Sequence, residues 1–255
     1  MQRFFISRLL MVFPTLFGVA IITFVLLRLI PGDIVMLRYG TGALVSEDVL
    51  RAERARYGLD KPIHEQFIHW LWGLVRGDLG VSMWTGKPVA YEVAIRLELT
   101  LELAIMATII AVALAIPLGT LAAVKQNTWV DYAVRVFSIA GLAMPSFWLG
   151  LLLIYLFSVR WELLPVMGRG GVEHLLLPAL TLGLGMAAAY ARILRAGMVE
   201  VLEQEYVRVA RAKGLPERLV VGKHALKNAL LPALTLLGMS LGHLLGGTVI
   251  VETVF

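Results

Sequence analysis

The chain has no cysteine. That excludes a disulfide framework, a thiolate metal site and a cysteine nucleophile, although it does not by itself fix the compartment. Charge is scarce: only 16% of residues are Asp, Glu, Lys or Arg, and they are clustered. Nucleotide and catalytic signatures are absent too. No G-x-x-x-x-G-K-[ST] loop exists, because Gly86-Lys87 runs into Pro88 and Gly222-Lys223 into His224, so the chain cannot bind ATP in that manner. There is no H-E-x-x-H. His64 and His69 stand five apart, a poor spacing for one helix face, and read as surface histidines rather than metal ligands. No G-x-S-x-G elbow occurs. The sequence therefore implies no metal, no cofactor and no covalent chemistry.

What remains is apolar. Of 255 residues, 59% are hydrophobic and mean hydropathy is +0.81, far above a soluble domain. The net charge of +5 could point to nucleic acid. The excess sits in loops flanking apolar runs, as the positive-inside bias requires, so nucleic acid is not the expected partner. A spanning helix needs roughly 20 mostly apolar residues, and five segments approach that: 9–27, 103–124 with Pro117, 136–159 with Pro145, 175–191, and 229–251 with His243. Proline inside such spans is tolerable where neighbouring helices satisfy the freed carbonyls. The first run follows Arg3 and Arg8 but is too long for a signal peptide and lacks a small-x-small cleavage site, so it reads as an uncleaved helix. The fold class is all-α: a polytopic membrane bundle of five transmembrane helices.

Lysine and arginine set the orientation. Arg3 and Arg8, then Lys125, then Arg192, Arg195, Arg208, Arg211, Lys213, Arg218, Lys223 and Lys227 mark the N-terminus and the second and fourth connections as cytoplasmic. The third connection carries only Arg160 and Arg169. The chain then divides into 1–98, a first helix with an ordered extracytoplasmic loop, and 99–255, a transmembrane core with a cytoplasmic elbow at 200–230. The chain stops at Phe255 without a polar tail, which suggests a truncated or incomplete protein.

Within the outer loop, Ser46 suits an N-cap ahead of Glu47 and Asp48, and Gly58 suits the helix end. Ile63, Phe67, Trp70, Leu71 and Leu74 recur at helical spacing, an amphipathic helix ending at Gly77. Three places suit it: the membrane surface, the cap of an outer vestibule, or its own transmembrane neighbours. His243 lies mid-span and either faces a cavity or a partner helix, or is a neutral imidazole bonded to a neighbouring helix, the preferred reading. Glu98 and Glu102, four apart, face an aqueous vestibule or mark the interface, the interface being preferred; His243 and Glu102 stand as candidate path residues. Gly238, Gly242 and Gly246 form a small-xxx-small row suited to static helix packing, the preferred reading, or to lying against a moving partner helix.

Residues 203–232 carry the strongest signal. Met198, Leu202, Tyr206 and Val209 fall on one helical stripe, with Arg208, Arg211 and Lys213 off it. Gly214 suits C′ of this helix, and Pro216 suits N1 of a second, returning helix with Glu217 in its first turn. A charged loop would set topology without needing that break or that stripe.

The run Glu205-Tyr206-Val207-Arg208-Val209-Ala210-Arg211-Ala212-Lys213-Gly214-Leu215, followed by His224-Ala225-Leu226-Lys227-Asn228-Ala229-Leu230-Leu231-Pro232, resembles the EAA-type coupling loop of ABC importer permeases of the dipeptide, oligopeptide and nickel class. Leu29-Ile30-Pro31-Gly32-Asp33, Tyr57-Gly58-Leu59-Asp60-Lys61-Pro62, Gly77-Asp78-Leu79-Gly80, Met144-Pro145-Ser146-Phe147-Trp148-Leu149-Gly150 and Leu164-Pro165-Val166 with Gly168 agree with it. Two features depart from the pattern: Arg208 stands where the general pattern has Glu, and the family's Pro-Gly loop and sixth helix after Phe255 are missing. The resemblance implies a bacterial inner-membrane permease with a cytoplasmic N-terminus, importing peptides, or alternatively nickel chelates, opines or glutathione. Its implied partners are the lipid bilayer, a second homologous permease subunit, two cytoplasmic ABC ATPases and an extracytoplasmic solute-binding protein. It implies that Leu202, Glu205, Tyr206, Arg208, Val209, Ala210, Arg211, Lys213, Gly214 and Leu215 couple to an ATPase. A self-contained secondary transporter or channel, the reading from a different class, predicts internal repeats and intramembrane charged pairs, and neither is evident.

Overall fold

A computed structural model describes residues 2–30, 32, 34–39, 46–168, 170–247 and 249–255. Pro31, Asp33 and Arg169, used above, lie outside the described residues. Every described element is helical, apart from one isolated bridge between Val81 and Pro88. The chain forms two compact units, Met1–Ile95 and Arg96–Phe255.

In the first unit, α1 (Gln2–Leu29) is an apolar helix with Arg28 in its last turn. It is followed by α2 (Ile34–Tyr39), α3 (Glu47–Arg56) and α4 (Ile63–Val75). Ser46 occupies the N-cap of α3 in extended conformation, but its side chain makes no capping bond. The amphipathic helix α4 packs on its own transmembrane neighbour, α1. The Phe67 ring meets those of Phe17 and Phe24 at 6.4 and 5.2 Å, and Trp70 meets Phe24 at 5.6 Å. Arg28 Nη2 donates to Gln66 Oε1 at 2.6 Å.

In the second unit, α5 (Val89–Val124, its first residues belonging to the first unit) runs unbroken through Pro117. α8 (Val172–Leu202) and α11 (Leu226–Gly247) are likewise continuous through Pro178 and Pro232. α5 and α8 extend beyond the windows read from hydropathy, because charged residues end the apolar stretch without ending the helix; α11 starts three residues before its window of 229–251 and ends at Gly247, short of it. The core uses small side chains: Ala111, Ala115, Ala122, Ala187 and Ala191 are buried around Val134 and Tyr190. Small residues let backbones approach where lipid supplies no hydrophobic drive for helix association. Gly141 shows how close this is: a Cβ built there would lie 2.6 Å from the Ala188 Cβ.

The expected single span over 136–159 is not what forms. α6 (Trp129–Ala143) stops, Met144 turns extended at ψ 123°, and α7 (Ser146–Leu153, continuing as a π-helix over Ile154–Arg160) starts after Pro145. The two arms are bent by 108°. Proline disfavours the helical conformation of the residue before it and cannot donate to the preceding turn, so Met144–Pro145 begins a new helix instead of kinking one. Among the described residues four helices are thus long and apolar enough to cross a membrane, or five if this bent pair is one span. A last short helix, α12 (Val249–Val254), is tied to α5 by the Thr100 hydroxyl, which donates to Glu252 Oε1 at 2.8 Å.

Candidate functional site: the helical elbow

α8 ends at Leu202, and Gln204, extended at ψ 148°, caps the start of α9 (Glu205–Ala212). The break at Glu203–Gln204 resets the helical phase, so the predicted single stripe does not form. Met198 is fully buried and Leu202 half-buried, but Tyr206 and Val209 are 42% and 52% exposed. The buried face of α9 is instead Val207 and Ala210, which pack with Val220, Val201, Leu202 and Leu215. Burying Val207 contributes roughly 1.5–3 kcal/mol, enough to hold a two-turn helix that would not persist alone.

α9 closes on Gly214 at φ +77°. The Gly214 N–H donates to Arg211 O at 2.9 Å and the Leu215 N–H to Ala210 O at 3.4 Å. This is the paired 5→2 and 6→1 closure that satisfies helix-end carbonyls and needs a left-handed residue at C′. Pro216 caps the next helix rather than entering it, one residue earlier in role than predicted. α10 (Glu217–Leu219) continues as a π-helix over Val220–Ala225 into α11. Arg211 grips Glu217 bidentately, Nη2 to Oε1 at 2.7 Å and Nε to Oε2 at 3.2 Å, pinning the two arms. The adjacent carboxylate raises the Arg211 pKa above its ordinary value. Asn228 Nδ2 donates to Tyr206 Oη at 2.8 Å, a second tie between the arms.

The predicted elbow residues thus divide. Leu202, Ala210 and Leu215 face inward and support the turn; Glu205, Tyr206, Arg208, Val209, Arg211, Lys213 and Gly214 lie on its exposed side. The two path candidates are not brought together in any enclosed site. Glu102 is exposed on α5 and His243 on α11, and neither has a hydrogen-bond partner among the described residues. Among the described residues no helix of this chain hydrogen-bonds to His243. The Gly238, Gly242, Gly246 row is also open: among the described residues nothing lies within 4 Å of a built Cβ at any of the three. A cavity of about 120 Å³ between α5, α8 and α11 is lined by Val112, Ala115, Tyr190, Leu194, Leu230 and Leu237.

One cluster escaped the sequence reading. The carboxylate of Asp131, at the start of α6, accepts from Arg135 Nη2 at 2.6 Å, Arg195 Nη2 at 2.7 Å, Arg195 Nε, Arg135 Nε at 3.2 Å and the Asn127 N–H at 3.0 Å. The i, i+4 spacing of Asp131 and Arg135 was visible; the third partner, 64 residues away, was not.

An all-helical unit with several apolar spans and a compact helical elbow between two of them is the architecture of a multi-pass membrane protein. The family described as "Binding-protein-dependent transport system inner membrane component" matches residues 115–255, and its companion "Binding-prot-dependent transport system membrane comp, N-term" matches residues 1–104. The chain belongs to this family of ABC importer permeases: it is an inner-membrane transport subunit rather than an enzyme, working with ABC-system partners. Among its relatives is the glutathione transport system permease protein GsiC of Pectobacterium atrosepticum, 43% identical over 255 residues, covering 100% of this chain and 83% of that protein. GsiC of Escherichia coli O6:H1 is 43% identical with the same coverage, and GsiC of Escherichia coli K12 is 42% identical. Membership sets aside the self-contained transporter or channel.

Proposed function

We propose that this permease imports glutathione or a similarly small peptide, pairing with a second homologous permease subunit and two cytoplasmic ATPases, and receiving solute from an extracytoplasmic binding protein. The sequence leads to peptides with glutathione as an alternative; relatives that are glutathione transport permeases favour glutathione, itself a tripeptide. The observation that carries the coupling role is the exposed side of the elbow. Tyr206 and Val209 offer apolar area, framed by Arg208, Arg211 and Lys213, on a turn held from beneath by Val207 and Ala210. Closure of the ATPases on ATP would displace this turn as a rigid body and switch the path between the two permeases. The Lys/Arg distribution supports a cytoplasmic N-terminus and elbow. The open face of α11, with its glycine row and His243, suits the second permease subunit.

The test is reconstitution of the complete complex in lipid vesicles with ATP on the elbow side and binding protein on the other. Radiolabelled glutathione should accumulate only with both ATP and binding protein present. Uptake that persists without ATP, or that no glutathione concentration elicits while another solute does, removes the respective half of the reading.

A further inference from the structure

Asp131 is the one charged side chain among the described residues that is fully buried. Its partners come from three elements: Asn127 in the α5–α6 turn, Arg135 on α6, and Arg195 on α8. Asn127 holds a left-handed backbone at φ 60°, which its N–H bond to Asp131 helps to fix. Two guanidiniums on one enclosed carboxylate are a poor device for stability alone. Burying the Asp131 carboxylate carries a desolvation cost that Arg195, 17% exposed, and Arg135, 41% exposed, have to offset, and apolar side chains of similar volume often do as well as a buried ion pair. What such a cluster supplies is a fixed register between elements.

The register fixed here is that of the elbow's base. Arg195 lies seven residues before the end of α8, roughly 10 Å along the helix. On the neighbouring positions Leu194 and Met198, exposed by 1% and 0%, pack against Ala225 and Ala229 on the returning arm. The last two turns of α8 are thus gripped by the elbow's second arm through apolar contact and by α6 through charge. α6 leads directly to the 108° bend at Met144–Pro145.

We infer that Asp131 is a positioning residue for transport, locking α6 to the base of the elbow so that displacement of the elbow is delivered to the bent α6–α7 pair. This rests on the coupling role proposed for the elbow. The test uses the complete complex, with the partner subunits stripped of reactive cysteine, and exploits the absence of native cysteine in this chain. Spin labels at Val136→Cys on α6 and Arg218→Cys on the elbow read their separation with and without a non-hydrolysable ATP analogue. With the clamp intact the separation stays narrow and unchanged by nucleotide. In the apolar triple variant Asp131→Leu, Arg135→Met, Arg195→Met the complex assembles, but the fixed separation is lost when nucleotide binds, and more ATP is hydrolysed per glutathione imported. A triple variant that keeps one narrow, nucleotide-independent separation overturns the inference, since the charges then serve stability only. If the triple variant does not assemble, Asp131→Asn is read in the same way, with loss of the fixed separation supporting the clamp and its retention overturning it. Failure of the elbow itself shows separately, as ATPase pull-down that Gly214→Val does not alter.

Discussion

Gly214 gives the sharpest handle on the elbow. Its φ of +77° is a left-handed conformation, and a Cβ built there meets nothing within 4 Å. Substitution therefore costs backbone strain and no collision. A residue with a Cβ loses about 1–2 kcal/mol in that conformation, and a β-branched residue more, whereas Asn tolerates it best after glycine. The series Gly214→Asn, Gly214→Ala, Gly214→Val should then be graded, not all-or-none. Relief of the strain means giving up the N–H bonds to Arg211 and Ala210, which tilts α9 against α10. If the ATPase reads the closed elbow, an expense of 1–2 kcal/mol weakens docking by about five- to thirtyfold. The assay is a pull-down titration of ATPase on vesicles holding the full complex, with uptake measured on the same vesicles. Assembly of the membrane part should survive throughout. Equal docking for Asn, Ala and Val would refute the reasoning, because it would mean the left-handed turn bears no load in the contact.

Other substitutions separate support from contact. Val207→Ala, at a fully buried site, should lower the midpoint of thermal unfolding by opening a void worth about 1–3 kcal/mol, while Val209→Ala, 52% exposed, should leave stability within about 0.5 kcal/mol and weaken ATPase docking instead; matched thermal scans and pull-downs check both. Gly141→Leu should disrupt α6 against α8, because its Cβ alone would sit 2.6 Å from that of Ala188, with an overpacking cost of about 1–3 kcal/mol or more, seen as reduced yield of assembled complex. Single cysteines at Glu217 and Gly170, in a chain without native cysteine, should react with an impermeant reagent from opposite sides of the membrane; labelling of both from one side would overturn the orientation.

The apolar spans were legible because a bilayer leaves the backbone few options, so composition over about 20 residues carries the message. Helix ends were less so: α5 begins at Val89 although the apolar window opens near Leu103, since Arg96, Glu98 and Glu102 interrupt hydropathy and not the hydrogen-bond ladder. Pro145 was seen, but Pro117 looks the same in sequence and only one of them breaks its helix; the difference lies in Met144 turning extended. In the elbow, the glycine closure was readable from Gly214 and its basic last turn. The face was not, because the stripe from Met198 to Val209 assumed one unbroken helix, and the extended Gln204 shifts the phase so that Val207 and Ala210 turn inward. Asp131 was missed for a further reason. Counting lysines and arginines in loops assigns Arg195 a side of the membrane, and only the packing of α6 on α8 reveals that it serves a carboxylate 64 positions earlier.

The central claim is that the outer side of the elbow is where the ATPase engages. A photoactivatable group attached at Val209→Cys in the complete complex tests it directly. The account predicts a covalent adduct with the ATPase subunit from Val209, 52% exposed on α9, and none from Trp84→Cys, 81% exposed in the other unit. An intact, transporting complex that yields no ATPase adduct from Val209, or yields one from Trp84, would contradict it.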